Sequence, residues 1–298
     1  MDKVYFAGKF EVIDFKFLKS LYKYKKNNEK EVIFLFYDSE LISFEDRKKL
    51  LEEHLQDLNY KIYNYNKKNK GLDVKEGLFY TRLEKCNIKK VKNVINKFHK
   101  LRVVDAPINY VKYILDHHYF IYDKIFNLMT EERYKHTVSV ALTALEIAKS
   151  NNICSNKPFI ASMLHDIAKD CPKHVIEEIM LKSFKNHIKE EKVVYHQFVG
   201  ALFARKLFKI YNIDILKSIK YHTTGSKNMS TCAKIVYCSD KIEPTRGYDS
   251  KYMIDACKKE IRTGFELVLS ENIKFLLSKN VKLDGLASEV IDFYRVEI

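Results

Sequence analysis

Histidine and aspartate residues in the second half of the chain have the types and spacing of metal ligands. The adjacent pair His165 and Asp166 lies in the apolar segment 160–168, where an unpaired charge is unfavourable to bury. A divalent transition metal would satisfy both side chains, since imidazole and carboxylate are good ligands for it. Hydrogen bonds to other helices would satisfy an isolated pair equally well. The pair therefore predicts a metal site only if further ligands accompany it.

Four more side chains of the same two types follow the helical pattern around this pair. His136 lies on the preceding predicted helix, His196 and His222 on the next two, and Asp240 near the end of a hydrophobic helix. Six ligands suffice for two metal ions, and a bridging Asp166 would leave each ion a position for water or a phosphate oxygen. Two such ions activate water and clamp phosphate oxygens. The predicted chemistry is phosphohydrolysis without a serine or cysteine nucleophile.

Two cations lie one helical turn from these ligands. Lys169 shares the predicted helical face of His165 and Asp166, where it could contact a phosphate or stabilise the leaving group. The alternative is an ordinary surface lysine. Arg133 precedes His136 by one turn and could bind phosphate, with a first-turn salt bridge to glutamate as the alternative. We therefore place Asp166 and Lys169 in the catalytic group.

Short motifs surround these residues. They are Arg-Tyr-Lys-His at 133–136, His-Asp-Ile-Ala-Lys at 165–169, His-Thr-Thr-Gly at 222–225, Met-Ser at 229–230 and Ser-Asp-Lys-Ile-Glu-Pro-Thr-Arg at 239–246. Together, over roughly residues 125–295, they resemble the YqeK family of HD-domain proteins. That family hydrolyses diadenosine tetraphosphate symmetrically to two ADP at a two-metal centre that is often iron. The resemblance implies the same activity and cofactor here.

Carried over by position, the resemblance also assigns roles to individual residues. The side chains near the substrate would be Arg133, Thr223, Thr224, Gly225 and Arg246. The metal ligands would be His136, His165, Asp166, His196, His222 and Asp240. One departure is Gln197, where the family usually has glycine after this histidine, and we expect it to narrow the pocket.

The residues next to Arg246 also predict where it lies. Pro244 cannot extend the helix that carries Asp240, so Arg246 is expected in the loop beyond, facing whatever binds the metals. Its guanidinium offers bidentate phosphate recognition, and a favourable charge for the helix dipole is the alternative. The ligand types do not determine which metal is bound, because His and Asp ligands accept Fe, Mn, Co or Zn.

The elements that carry these residues are predicted to be helical throughout. From Thr130 onward every long segment has 3.6-residue periodicity, and Thr130 is a good N-cap. Pro158 opens the helix that carries the His-Asp pair and Pro172 closes it. Further helices are predicted over 193–208, 213–221, 230–243 and 252–269. The sequence predicts an all-α HD domain over residues 119–298.

The first 118 residues have a different pattern. Segments 4–7, 32–37 and 60–65 are short, apolar and rich in β-branched or aromatic residues, which predicts strands. Segment 44–58 is amphipathic and predicts a helix, and the lysine-rich stretch 64–71 predicts an exposed loop. The overall class is therefore α+β, with an α/β unit ahead of the helical one.

The loop after the first strand resembles an incomplete version of the GxFxPxHxGH loop of nicotinate-nucleotide adenylyltransferases. Gly8 and Phe10 fit that pattern, but Asp14 and Phe17 stand where the two histidines should be. Arg47 with Leu50 and Leu51, and then 107–120, resemble later parts of the family, whereas its ISSTxIR element has only an echo near 88–92. We expect a reduced nucleotidyltransferase-like (Rossmann-like) domain without that activity, because neither replacement can donate a hydrogen bond to phosphate.

Bulk composition narrows the class of protein. The chain has 298 residues, of which 46% are hydrophobic and 31% charged, enough for two folded domains. Its net charge of +14 fits a polyanionic partner, or merely the lysine-rich usage of an AT-rich genome. The 6 cysteines form no CxxC pair, and no long apolar run is present, so we expect reduced thiols, a cytoplasmic location and no membrane partner.

The leading hypothesis is a dinucleoside tetraphosphate hydrolase with a dinucleoside polyphosphate or other nucleotide as partner. An alternative is an HD phosphohydrolase that acts on other nucleotides or on cyclic dinucleotides. A third reading, of another class, is a basic adaptor that binds RNA or protein. Complete ligands argue against the adaptor and a nucleic-acid partner, and the sequence does not indicate an oligomeric state.

Overall fold

The computed structural model describes residues 3–8, 10, 13, 17–18, 21, 31–37, 39, 42–56, 58–65, 78–79, 106–119, 121–283 and 285–296. The chain divides into two compact units. The first comprises residues 1–99 and 104–114, and the second residues 100–103 and 115–298.

The first unit is built on a parallel sheet. Its strands are β1 (Lys3–Gly8), β2 (Glu31–Tyr37), β3 (Tyr60–Tyr65) and β4 (Leu78–Phe79), in the order β3-β2-β1-β4. All pairs are parallel, with Val4 opposite both Val32 and Leu78, and Val32 opposite Tyr60. The central strand β2 is buried from Val32 to Phe36, as expected for a run of apolar residues in a parallel sheet.

The sequence located three of these strands and missed the short β4. Helix α1 (Phe44–Glu52) begins where predicted, because the Ser43 hydroxyl accepts the Asp46 N–H at 3.1 Å, but it ends earlier than residue 58. The predicted loop 64–71 overlaps the end of β3 by two residues, and its remainder lies outside the described residues. Asp14 and the echo at 88–92 also lie outside them.

The described part of the second unit is all-helical, which confirms that prediction. Helix α2 (Ile108–Asp116) begins in the first unit, and its last two residues are assigned to the second. The helices after α2 belong to the second unit and are α3 (Tyr122–Phe126), α4 (Glu131–Ser150), α5 (Asn156–Leu164), α6 (Lys173–Ser183), α7 (Tyr195–Leu207), α8 (Ile213–Lys220), α9 (Thr231–Ile242), α10 (Lys251–Lys259), α11 (Ile261–Ser278) and α12 (Leu286–Tyr294). Short 3-10 turns occupy Lys185–His187, Lys192–Val194 and Pro244–Arg246.

Two helices differ from their predicted extent. The segment predicted as one helix over 252–269 is two, because Glu260 leaves the helical conformation and its carboxylate caps α11 by accepting the N–H groups of Arg262 and Thr263. Helix α6, which follows Pro172, was not predicted. Apolar side chains of α4, α9, α10, α11 and α12 form the larger core of this unit.

Two expectations about cell context can be compared with the structure. None of the described helices is both long and apolar enough to cross a bilayer. The described cysteines, which are Cys154, Cys171, Cys232, Cys238 and Cys257, are all free thiols, and Cys86 lies outside the described residues.

Candidate metal centre

The His-Asp pair occupies a tight turn rather than the middle of a helix. Helix α5 ends at Leu164, and residues 165–170 form successive turns in which the Lys169 N–H bonds the carbonyl of Asp166 at 2.9 Å. Bonds to the third preceding residue tighten the backbone relative to an α-helix. The prediction of a helical face shared by His165, Asp166 and Lys169 is therefore wrong in its geometry, although Asp166 and Lys169 line the same cleft and His165 lies beside Asp166.

Three histidines are oriented by the same backbone device. The Nδ1 atoms of His165, His196 and His222 each lie within hydrogen-bond distance of the carbonyl oxygen three residues earlier, at 2.7, 2.9 and 2.8 Å. A carbonyl can only accept, so Nδ1 carries the proton and Nε2 keeps its lone pair. The three rings thus present Nε2 to the centre, which is the arrangement that metal-binding histidines need.

One oxygen of Asp166 lies among these nitrogen atoms. Its Oδ1 is 3.3 Å from Nε2 of His196 and 3.4 Å from Nε2 of His222, while Nε2 of His165 lies 3.8 Å from Oδ2. Asp166 Oδ1 and His165 Nε2 are among the buried side-chain atoms of the described residues that have no hydrogen-bond partner. Buried polar atoms are seldom left unpaired, and a carboxylate oxygen beside an imidazole nitrogen fits the ligand set of a divalent cation.

His136 and Asp240 complete the cluster on its other side. Nε2 of His136 lies 3.2 Å from Oδ1 of Asp240, and Nε2 of His165 lies 3.6 Å from the same oxygen. Nδ1 of His136 is 2.9 Å from the carboxylate of Glu243, which replaces the backbone carbonyl of the other histidines. His136 therefore also presents Nε2 inward.

Five of the six side chains form two overlapping groups that could hold metal. One comprises His136, His165 and Asp166 and the other Asp166, His196 and His222, and within each group the ligand atoms lie within 4.8 Å of one another. The sixth, Asp240, lies beside the first group through its contacts with His136 and His165. Metal bonds of roughly 2.0–2.2 Å place neighbouring ligand atoms about 3.0–3.5 Å apart. The separations of Asp166 Oδ1 from Nε2 of His196 and His222, and of Asp240 Oδ1 from Nε2 of His136, are in that range. The structure thus brings together every residue predicted as a ligand.

The electrostatics of Asp166 and His196 favour the protonation states that metal binding requires. Burial alone raises the pKa of Asp166, but the imidazoles of His165, His222 and His196 outweigh it and hold that pKa well below its usual value. Burial, with the neighbouring His222, lowers the pKa of His196 to about 3. An ionised carboxylate and a neutral imidazole are the forms that bind metal.

A cleft of about 280 Å³ opens onto the cluster. Four cations surround it and create a positive rim suited to phosphate oxygens. The lining residues are Arg133, His136, Asp166, Lys169, His196, His222, Thr223, Asp240, Lys241 and Arg246.

The cations of this rim contact the acidic ligands. Arg133 donates to Asp166 at 2.8 Å and to Asp170 at 2.9 Å, not to a first-turn glutamate. Arg246 donates to Oδ1 of Asp240 at 2.7 Å, and Lys241 lies 2.8 Å from the other carboxylate oxygen. Arg246 thus lies in the segment beyond the helix of Asp240 and faces the candidate ligands.

Lys169 is half-buried in the cleft and not an ordinary surface lysine. Its Nζ lies 3.2 Å from Nε2 of His196. Burial lowers the pKa of its ammonium group, and Asp166 and Asp240 partly oppose that shift.

The residues of the 222–225 motif separate in the structure. Thr223 lines the cleft, whereas the hydroxyl of Thr224 contacts the Gln197 amide and the Gly225 carbonyl. Gly225 has a φ of +75°, and an added Cβ would lie 3.4 Å from Val290, so it shapes the turn. The amide of Gln197 is buried against this turn and is not among the residues that line the cleft.

Sequence reasoning missed three contributors to the site. Lys241 directly follows Asp240, Asp170 lies one turn beyond Asp166, and Glu243 supports His136. The only signal in the sequence was that each of these charged residues lies within four positions of Asp166 or Asp240. Choosing these three among the many charged residues of this basic chain requires knowing which side chains point inward.

Comparisons with known proteins agree with this architecture. The HD domain family matches residues 133–245. The chain is 34% identical over 158 residues to "Bis(5'-nucleosyl)-tetraphosphatase, symmetrical" of Bacillus subtilis (strain 168), covering 51% of this chain and 83% of that protein. It resembles the crystal structure of a "predicted HD superfamily hydrolase involved in NAD metabolism" from Clostridium acetobutylicum, with 31% identity, a TM-score of 0.53, and coverage of 58% of this chain and 96% of that one.

A further relative combines two named activities. "Probable nicotinate-nucleotide adenylyltransferase/Ap4A hydrolase" of Mycoplasma pneumoniae (strain ATCC 29342 / M129 / Subtype 1) is 25% identical over 194 residues. The match covers 63% of this chain and 56% of that protein.

Proposed function

Because this chain belongs to the HD-domain hydrolase family, we propose that its second unit hydrolyses diadenosine tetraphosphate symmetrically to two ADP. The observation that carries the proposal is the sharing of Asp166 by two groups of inward-facing ligands at the base of a cationic cleft. The symmetrical tetraphosphatase named above, 83% of which this chain covers, supports the choice of substrate.

The proposed ligands are the six residues of the cluster. His136, His165 and Asp240 would hold one ion, His196 and His222 the other, and Asp166 both. Two divalent ions bound there would lower the pKa of a water molecule and neutralise phosphate charge. Iron is the proposed metal, with manganese, cobalt or zinc able to use the same ligands.

The other side chains of the cleft would bind and orient the tetraphosphate. Arg133 and Arg246 offer planar donor pairs, which suit phosphate oxygens, and Lys241 adds a point charge. The Thr223 hydroxyl lies beside the Nε2 atoms of His222 and His196 and can donate to a phosphate oxygen held there. Lys169 is proposed to stabilise the negative charge that develops on the departing ADP.

We also propose that residues 1–118 keep a nucleotidyltransferase-like α/β fold without adenylyl transfer, and that residues 119–298 are the hydrolase domain. Strand order β3-β2-β1-β4 supports this, since doubly wound nucleotide-binding sheets begin with that order. The ring of Phe17 packs 5.8 Å from the Phe10 ring and 6.1 Å from the Phe6 ring, measured between centroids. An aromatic side chain in this cluster supplies no donor for a triphosphate.

The direct test is metal analysis of protein purified without oxygen, coupled to hydrolysis of diadenosine tetraphosphate and chromatography of early products. We expect close to two metal ions per chain and ADP as the sole early product. AMP with ATP as products, or faster turnover of a cyclic dinucleotide, would identify another hydrolase. Salt-sensitive RNA binding without any hydrolysis would favour the adaptor. Adenylylation of nicotinate mononucleotide would overturn the proposal for the first domain.

A further inference from the structure

Gln197 is a fully buried amide next to the candidate ligand His196 on helix α7. Its Oε1 accepts the backbone N–H of Thr223 at 3.2 Å and that of Thr224 at 3.4 Å. Its Nε2 donates to the hydroxyl of Thr224 at 3.2 Å. The Gln197 side chain therefore bonds to the turn that follows helix α8 through both its amide oxygen and its amide nitrogen.

That turn carries the two groups that face His196 from the opposite side. Nε2 of His222 lies 3.2 Å from Nε2 of His196, and the Thr223 hydroxyl lies 3.0 Å from the first and 3.2 Å from the second. The position of the turn thus sets the separation of two candidate ligands and the placement of a hydroxyl in the cleft.

Helix α7 is also held closely against the His-Asp turn. Gly200 lies one turn after His196, and an added Cβ there would be 3.2 Å from the carbonyl oxygen of His165. The helix that carries Gln197 is thus fixed on one side by His165 and can serve as a reference for the 223–224 turn on the other.

We propose that Gln197 is a positioning residue that locks the 223–224 turn onto helix α7, and so sets the spacing of His196, His222 and Thr223 for metal binding. The inference rests on the proposed metal centre. Supporting groups behind metal ligands are worth about 10–100-fold in metal affinity or activity. An apolar replacement would also leave two part-buried backbone N–H groups without their acceptor.

The test compares Gln197→Met with Lys206→Met on the same helix. Methionine at position 197 keeps the approximate volume but removes both acceptor bonds, whereas Lys206 is exposed in the last turn of helix α7 and lies outside the ligand cluster. Zn²⁺ affinity is measured by chelator competition, and thermal unfolding of the metal-free proteins is followed in parallel. We expect Gln197→Met to bind Zn²⁺ about 10–100-fold more weakly and Lys206→Met to stay within about threefold of the wild type. Equal affinities of the two variants would overturn the proposal.

A measurement on the unmodified chain covers the case in which Gln197→Met fails to fold. Hydrogen exchange of the Thr223 and Thr224 amides should be slowed by at least about tenfold relative to an unstructured peptide. Exchange at the unprotected rate contradicts the lock. If the wild type binds no Zn²⁺, the proposed metal centre is wrong. Slow exchange of these two amides would still show that Gln197 holds the 223–224 turn, and unprotected exchange would overturn that contact.

Discussion

Nδ1 of His136 lies 2.9 Å from Oε1 of Glu243, whose carboxylate is buried and also accepts the N–H and hydroxyl of Thr245. The other three histidines of the cluster have a backbone carbonyl at this position. A full negative charge behind His136 orients the ring and makes Nε2 a stronger electron donor. Glu243 thereby connects the 3-10 turn after α9 to helix α4.

Replacement of this carboxylate should weaken the metal centre. A glutamine side chain can still accept a hydrogen bond but carries no charge, so Glu243→Gln is expected to reduce metal affinity or diadenosine tetraphosphate hydrolysis by about 10–100-fold. Metal titration and initial rates measure the two effects. Glu178→Gln, which changes an exposed ion pair with Lys182, is the control and should match the wild type. Indistinguishable behaviour of both variants would contradict this role.

The same carboxylate predicts a pH dependence of stability. Burial by itself raises its pKa, but bonds from His136, Ser139 and Thr245 lower the pKa of Glu243 from 4.5 to about 2. A folded-state pKa below the unfolded value stabilises the fold above about pH 4.5, and that contribution is lost as the pH falls toward about 2.

Urea unfolding of metal-free protein at pH 6 and pH 3.5 measures this contribution. The wild type should lose more free energy of unfolding between the two pH values than Glu243→Gln, because glutamine does not titrate. Parallel losses in the two proteins would assign the acid sensitivity to other carboxylates, such as Asp166 and Asp240, whose pKa values are also lowered.

Asp166 should be indispensable for binding metal and for turnover. Asp166→Asn keeps the shape of the side chain but removes the charge shared by both ligand groups, so hydrolysis should fall by at least about a hundredfold. Added Mn²⁺ should raise the unfolding temperature of the wild type and leave that of this variant unchanged.

The matched control is Asp170→Asn in the same turn. Asp170 is exposed and contacts Arg133 and the N–H of Thr130, outside the ligand cluster. This variant should retain the Mn²⁺-induced rise in unfolding temperature. A Mn²⁺ response that survives in Asp166→Asn would exclude Asp166 as a shared ligand.

Gly264 predicts a stability effect far from the site. Helix α11 approaches α10 so closely that an added Cβ at Gly264 would lie 2.5 Å from the Cα of Cys257. Backbone atoms cannot move aside without separating the two helices, so Gly264→Ala should destabilise the fold by about 1–3 kcal/mol. Urea unfolding compares it with Ser270→Ala on the same helix, for which a change within about 0.5 kcal/mol is expected. Similar stabilities of the two variants would contradict the close helix packing.

Much of the helical domain and the ligand set could be predicted because the signals are local. Apolar residues every three or four positions predict α4, α7, α8 and α9, and Thr130 and Ser230 accept N–H groups of the first turns of α4 and α9. The ligand residues stand out because His and Asp are unexpected on apolar faces. Their convergence followed from the resemblance of the motifs.

Only the tertiary structure decided how these residues are held. The Nδ1 partners of the histidines, the lock between Gln197 and the 223–224 turn, and the contact of Glu243 with His136 all depend on how separate segments cross. Residues 136 and 243 are far apart along the chain, and no local periodicity encodes their distance. Side-chain type is a property of the sequence, but its hydrogen-bond partner is chosen by packing, since burial leaves each polar group only the neighbours that the fold brings to it.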